Sequence, residues 1–260
     1  MSWAIIAALI TSGLIVGFVN TLAGGGTIIS LSLFMFLGLP PTIANGTNRI
    51  AIVMQNLMSA SEFKRKKILD FKKSNAMAIP TLIGSLVGAL IAIDLNEQIM
   101  RFSIGVIMLV MLFFLLVKPS VWLKENKALM DKPVSWKMQI VFFLIGVYGG
   151  FIHLGVGYFI LAAAVFGAGM DLIKANAAKV WIVLLYTPLP LIIFALHNHV
   201  HWGYGFIHGI GNVIGAYVAS HYAASWGNNF VRWVMVGMIL VFASDLLGII
   251  NIKSIIMLLQ

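Results

Sequence analysis

Apolar runs separated by short polar or glycine-rich stretches recur along the whole chain. Ten can be drawn, at residues 3–22, 26–39, 43–62, 75–94, 99–117, 138–153, 156–169, 175–195, 204–222 and 233–250. Most approach the roughly 20 residues that an α-helix needs to cross a bilayer core. Two of them, 26–39 and 156–169, are too short to span comfortably, and each begins directly after a glycine cluster. A short apolar segment behind a helix break is the pattern of a half-helix or re-entrant segment in a transporter.

The two halves of the chain repeat one another. A gapless shift of 131 residues lays Gly24 and Gly26 on Gly155 and Gly157, and Gly38 on Gly169. The same shift lays Ala44-Asn45 on Ala175-Asn176, Gly84 on Gly215 and Arg101 on Arg232. Asp70-Phe71 falls on His201-Trp202, a polar-aromatic pair each time. A register held over about 95 residues marks a duplication. It divides the chain into an N-terminal repeat (1–117), a basic linker (118–137) and a C-terminal repeat (138–260).

Charge gives the orientation of the copies. Loop 63–74 carries Lys64, Arg65, Lys66, Lys67, Lys72 and Lys73, and loop 118–137 carries five more lysines. Basic loops between apolar spans are expected on the cytoplasmic side of the cell (inner) membrane. The counterpart of the first, Ala195 to Tyr204, has no Lys or Arg and is expected outside. Equivalent loops on opposite sides mean inverted repeats, each with an odd number of crossings. Asp94 and Glu97 then face outward. Parallel repeats, with four crossings each and re-entrant short segments, are the alternative topology.

Composition agrees with a lipid environment. The chain of 260 residues is 61% hydrophobic and 10% charged, and its mean hydropathy is +1.01. Soluble domains carry about a quarter charged residues. The stretch opening with Met1-Ser2-Trp3 has no Lys or Arg before Arg49, so it reads as a span and not as a signal peptide. With no cysteine, disulfides and thiolate metal sites are excluded. The net charge of +9 lies mostly in loops, which points to a membrane surface and not to nucleic acid.

Candidate chemistry gathers at two places in each half. The first is Asn20-Thr21-Leu22-Ala23-Gly24-Gly25-Gly26-Thr27, matched by Gly155-Val156-Gly157. Glycines break a helix and let backbone approach a ligand, and the helix start behind them favours an anion. Tight helix packing explains such glycines equally well in kind. The second place is Asn45-Gly46-Thr47-Asn48-Arg49, matched by Asn176-Ala177-Ala178-Lys179-Val180. Asn45, Thr47, Asn48 and Asn176 offer polar contacts at membrane depth, and Lys179 offers charge to an anionic solute. Arg49 and Lys179 could instead snorkel from helix ends. His153, beside the second glycine cluster, and Arg49 are candidates for coupling, since a histidine titrates near physiological pH. Asp245 is a lesser one. His197, His199 and His201 sit in a loop at alternate positions, a weak metal signal, so no metal site is assigned. No HExxH, GxSxG or paired-carboxylate pattern points to an enzyme, and no cofactor motif is present.

The glycine cluster from Val19 to Gly26, Gly38-Leu39-Pro40-Pro41 and Ala44-Asn45-Gly46-Thr47-Asn48 resemble the first half of the sulfite exporter TauE/SafE family of permeases. Tyr148-Gly149-Gly150-Phe151, Gly155-Val156-Gly157 and Ala175-Asn176-Ala177-Ala178-Lys179 resemble its second half. The resemblance covers nearly the whole chain. It implies a plasma-membrane carrier of sulfite, organosulfonates or related small acids. Lys179 fits the family's second-half pattern, whereas His153 stands where a glycine is usual.

The expectation is therefore an all-α membrane protein of about ten apolar segments, working as a secondary anion transporter by alternating access. Asn20, Gly24, Gly25, Gly26, Thr27, Asn45, Thr47, Asn48, Gly155, Gly157, Asn176 and Lys179 are the expected solute-binding residues. The partners are a small anionic solute, the bilayer and, as for other small proteins of this kind, a second copy in a homodimer. An anion channel and a membrane scaffold or assembly subunit are the alternatives from other classes. Saturable solute flux separates carrier from channel. A Lys179→Ala variant without effect on solute binding would favour the scaffold.

Overall fold

A computed structural model describes residues 1–94, 99 and 127–246; at 127, 128, 224 and from 227 onward it describes the backbone alone. Among these residues every regular element is helical. The first half gives α1 (Trp3–Leu22), α2 (Thr27–Phe36), α3 (Pro41–Arg65) and α4 (Phe71–Ile93). A short α5 (Lys127–Met130) precedes α6 (Trp136–Phe151), α7 (Val156–Ala162), α8 (Leu172–Tyr186), α9 (Pro188–Leu196) and α10 (Trp202–Leu246). The run 99–117 beyond Ile99, Glu97, Arg101, most of the basic linker and residues 247–250 lie outside the described residues.

Local chemistry sets where the helices start and bend. Ser2, Asp70, Ser135 and Asp171 accept backbone N–H bonds as N-caps of α1, α4, α6 and α8. Pro41 stands in the first turn of α3, where its missing N–H costs nothing. Pro188 ends α8 at Thr187 and starts α9, so one apolar stretch bends within the span Leu172–Leu196. A π-helical turn, Ala163–Gly167, extends α7. The two short apolar segments thus form short helices behind their glycine breaks.

Among the described residues three stretches are long and apolar enough to cross a membrane by length and composition: Trp3–Leu22, Phe71–Ile93 and Leu172–Leu196. Their outer faces are greasy. Ile79, Ile83, Leu90 and Ile91 of α4 are exposed, as are Ile140 and Leu144 of α6 and Ile210 and Ile214 of α10. The interior mixes an apolar core with buried polar groups, among them Asn45, Asn48, Arg49, Asn176 and Lys179. A bilayer is the solvent that suits this distribution. Trp3, Trp136 and Trp202 stand exposed in the first turns of α1, α6 and α10, where interfacial aromatics belong.

The sequence separates 204–222 from 233–250, whereas the structure runs both, as far as Leu246, in one helix of 45 residues. No proline interrupts this stretch, and Gly227-Asn228-Asn229 lowers helix propensity without ending the hydrogen-bond ladder.

Positive backbone φ recurs at the spacing seen in the sequence. All the described residues with positive φ fall into three pairs: Gly24 (90°) with Gly155 (63°), Gly38 (92°) with Gly169 (75°), and Lys67 (57°) with Asn198 (59°). Each pair is 131 residues apart (155 minus 24, 169 minus 38, 198 minus 67). Helix α3, at 41–65, maps by that shift onto 172–196, the combined extent of α8 and α9.

Glycines fix how the helices pack. Gly13 and Gly17 of α1 lie against the His208 and Asn212 carbonyls of α10, so these two helices run in the same direction. Gly146 and Gly150 of α6 lie likewise against the Thr81 and Ser85 carbonyls of α4. Helix α3 also runs alongside α10. At one end Thr47 Oγ1 accepts the His201 amide at 2.8 Å, and at the other Glu62 meets His221 at 3.3 Å. At that second end Lys73 of α4 donates to the carbonyls of Leu129 and Met130, both at 2.8 Å, which ties the basic loop after α3 to the basic linker.

Candidate functional site

Both broken helices end against each other. Helix α1 stops at Leu22 and α6 at Phe151, and the loops that follow turn through left-handed glycines. These loops touch through their backbones. A Cβ on Gly24 would lie 2.6 Å from the Cα of Gly157, and the Tyr158 ring covers Gly25. Packing therefore requires glycine at Gly24 as firmly as backbone conformation does. Gly26 is buried beside the Asn20 carboxamide, whose Nδ2 donates weakly to Thr27 Oγ1 at 3.4 Å. Gly155 is buried in the matching loop.

Where a helix stops, its last carbonyls have no partner within the helix. Here each broken end receives a buried cation from the other half. Lys179 of α8 donates from Nζ to Asn20 O (2.8 Å) and Thr21 O (2.8 Å) of α1, and to Asn176 Oδ1 (2.9 Å). Arg49 of α3 donates from Nη1 to Gly149 O (3.2 Å) and from Nη2 to Gly150 O (2.6 Å) of α6. The acceptors hold matching places, the third- and second-last residues of their helices. A cation at a carboxyl end also meets the negative pole of the helix dipole. Neither cation snorkels, since Arg49 is fully buried and Lys179 is 2% exposed.

Amides complete the cluster. Asn45 Nδ2 donates to Phe151 O at 2.9 Å, a further bond to the end of α6. Asn48, the residue aligned with Lys179, is fully buried with no partner on either carboxamide atom. Asn45 Oδ1, Asn176 Nδ2, Asn20 Oδ1, Tyr158 OH and Arg49 Nε are also buried without a partner. The Arg49 guanidinium lies over the Phe194 ring, 4.9 Å from its centre. His153 shares a hydrogen bond with Tyr186 OH at 2.8 Å, both groups being buried.

The structure thus brings together Asn20, Gly24, Gly25, Gly26, Thr27, Gly157, Asn176 and Lys179, with Asn45, Arg49 and His153 around the second break. Thr47 stands apart. It sits on the α10 face of α3 and holds the start of α10, a direction fixed by helix rotation that composition does not reveal. His197, His199 and His201 stay in the loop before α10, and no group of three or more His, Cys, Asp or Glu among the described residues is placed to hold a metal ion. Asp171 serves as the N-cap of α8.

Sequence reasoning missed His208. It is fully buried on α10, bound to Ser30 Oγ (2.8 Å) of α2 and Leu9 O (3.0 Å) of α1, with its ring edge-on to Phe34. A histidine inside an apolar run was the available signal. Its match in the first half is Met77, so the repeat gave no hint of it.

Residues 9–246 match the family model described as Sulfite exporter TauE/SafE. The chain is similar to a probable membrane transporter protein, ORF9, of Sinorhizobium sp, with 24% identity covering 95% of this chain and 94% of that one. It is similar to the probable membrane transporter protein YfcA of Escherichia coli K12, with 25% identity over 90% and 86% of the two chains. The probable membrane transporter protein YunE of Bacillus subtilis is 25% identical over 78% and 82%. No solved structure matches the chain.

Proposed function

The chain belongs to the sulfite exporter TauE/SafE family of membrane transporters, and on that premise we propose that it is a secondary carrier of small oxyanions such as sulfite and organosulfonates, working by alternating access between two inverted repeats. The observation that carries this reading is the pair of buried cations, Lys179 and Arg49, at the meeting point of two broken helices. The only buried carboxylate among the described residues is Glu62, which pairs with Arg65 at 2.7 Å. Two buried positive charges without a buried carboxylate beside them favour an anionic solute.

Helix directions support inversion. Contacts between Gly46 and Phe194 at one end, and Thr21 with both Ser59 and Lys179 at the other, set α3 antiparallel to α8 and α9. Helices α1, α3 and α10 then form one set, and α6, α8–α9 and α4 the opposed one. The 131-residue shift exchanges α3 with α8–α9 and α4 with the first part of α10, and α1 takes the place of α6. On this reading the two glycine breaks belong near the pseudo-twofold axis and mid-membrane. Lys64 to Lys73, Lys132, Lys137 and Lys174 gather at the end where α4, α6 and α8 begin, which supports a cytoplasmic assignment of that end. Asn20, Thr27, Asn45, Asn48 and Asn176 would turn polar atoms to the solute, and rocking one half against the other would open the centre to each side in turn. His153, bonded to Tyr186 near Arg49, is the site for a coupled proton.

The test is binding. A ligand that binds only the folded state raises the melting temperature by mass action. Sulfite and small sulfonates are expected to stabilise the purified full chain, and Lys179→Ala and Asn48→Ala to diminish that shift. If no sulfur oxyanion shifts the wild type while another solute does, the family's named substrate does not apply to this chain.

A further inference from the structure

Counting donors separates the two cations. The Lys179 ammonium has three N–H groups and three protein acceptors, at 2.8, 2.8 and 2.9 Å. Its hydrogen-bonding capacity is full. The Arg49 guanidinium has five N–H groups. Two of them meet carbonyls, those of Gly149 and Gly150. Nε has no partner although it is buried, and Arg49 is the largest fully buried side chain described. Among the described residues no carboxylate, which would ordinarily neutralise a buried arginine, stands in its contacts. Two carbonyls and the Phe194 ring face it, with the Tyr186 hydroxyl and the His153 ring nearby. One residue earlier, the Asn48 carboxamide is fully buried with neither atom bonded. Buried donors left unmade are costly, and a buried cation without an anion more so.

From this imbalance, and resting on the anion-transport reading above, we infer that Arg49 is the group that takes the solute's oxyanion directly, with Asn48 Nδ2 as a neighbouring donor, and that Lys179 is a positioning residue that caps α1. The free Nε–H and a spare Nη proton form a planar fork. A fork of this kind fits an anion that offers two oxygens from one centre: sulfite, a sulfonate or a carboxylate. A halide offers one point and gains little from it. The bonds to Gly149 and Gly150 hold the plane of the guanidinium, so the fork is preorganised on the end of α6. Lys179 acts at a distance: by closing the carboxyl end of α1 it fixes where the glycine loop begins and holds Gly157 against Gly24.

The experiment compares Arg49→Lys, Asn48→Ala and Lys179→Arg in the purified full chain, titrated with sulfite, methanesulfonate and chloride by calorimetry. Arg49→Lys keeps the charge and loses the fork. It is expected to weaken sulfite and methanesulfonate binding about 10-fold or more, the size of one or two charge-assisted hydrogen bonds. The ratio of oxyanion to chloride affinity should fall with it, which a merely structural residue would not change. Lys179→Arg is expected to move the melting temperature more than the ratio. Arg49→Lys with unaltered affinity and ratio, beside a Lys179→Arg that abolishes binding, overturns the assignment and leaves the transport reading standing. If Arg49→Lys does not fold, Asn48→Ala decides: an unchanged oxyanion affinity overturns the assignment. A wild type that binds no oxyanion at all overturns both.

Discussion

The two broken helix ends are built alike and finished differently. At α1 an ammonium with three donors meets three acceptors; at α6 a guanidinium with five donors meets two. The acceptor positions correspond, and so do the positive-φ glycines that follow. Lys179 and Arg49, however, do not occupy matching sequence positions; Asn48 is the match to Lys179. The two breaks are therefore alike in backbone, while neighbouring positions supply each with its own cation.

The contact between the halves can be broken most severely at the glycines. Gly24→Val is expected to lower stability by about 3–6 kcal/mol, since it adds overpacking against Gly157 to a strained left-handed backbone. Chemical denaturation in detergent measures this, and a variant as stable as the wild type would show that the loops do not meet as described. Next come the cations. Lys179→Met leaves the Asn20 and Thr21 carbonyls and Asn176 Oδ1 without their donor, at about 2–4 kcal/mol. Arg49→Met uncovers only the Gly149 and Gly150 carbonyls, and removes an under-bonded charge, so its cost to the unliganded protein is expected to be the smaller of the two. Equal or reversed costs would remove the distinction between a saturated cap and a cap with spare donors. A weaker version of the same comparison uses the paired amides. Asn45→Ala frees the Phe151 carbonyl and is expected to cost about 1–2 kcal/mol. Asn176→Ala takes one of three acceptors from Lys179 and should cost no more than that.

Much of this centre was legible in the sequence. Glycine clusters at one spacing, followed by short apolar runs, located both breaks, and Asn45 and Asn176 stood out as polar residues in otherwise apolar helices. The direction of each side chain was not legible. Arg49 reads as a residue near a helix end, but α3 starts eight positions earlier and its rotation turns Arg49 inward to α6. Thr47, two positions before it, turns to α10 instead. The sequence marks Lys179 as a buried charge for a solute but does not reveal that its ammonium also closes α1, because a buried carboxyl end of a helix needs a donor. His208 was invisible to a reading guided by the repeat, having no counterpart there.

The smallest effect is expected in the loops that join α3 to α4 and α9 to α10, which share a positive-φ residue, Lys67 in one and Asn198 in the other. The first is basic and the second carries histidines. Burial, and secondarily the neighbouring His197, lowers the pKa of His199 from its ordinary value. The folded chain then holds a proton on this imidazole less readily than the unfolded chain does. Above the ordinary histidine range, near pH 6.5, both states are neutral and the group has no effect; as pH falls through that range the unfolded state takes up the proton first and stability declines. Melting temperatures of the wild type and His199→Gln between about pH 8 and pH 5 measure this, with the steeper fall expected in the wild type. The consequence reaches the centre through one ring. Phe194 packs against His199, with ring centres 6.4 Å apart, and also lies under Arg49 at 4.9 Å. A proton on His199 would place a second cation beside the ring that shields Arg49, so the loss should be smaller in Arg49→Met than in the wild type, and an identical slope in both would show that the loop and the cation do not communicate.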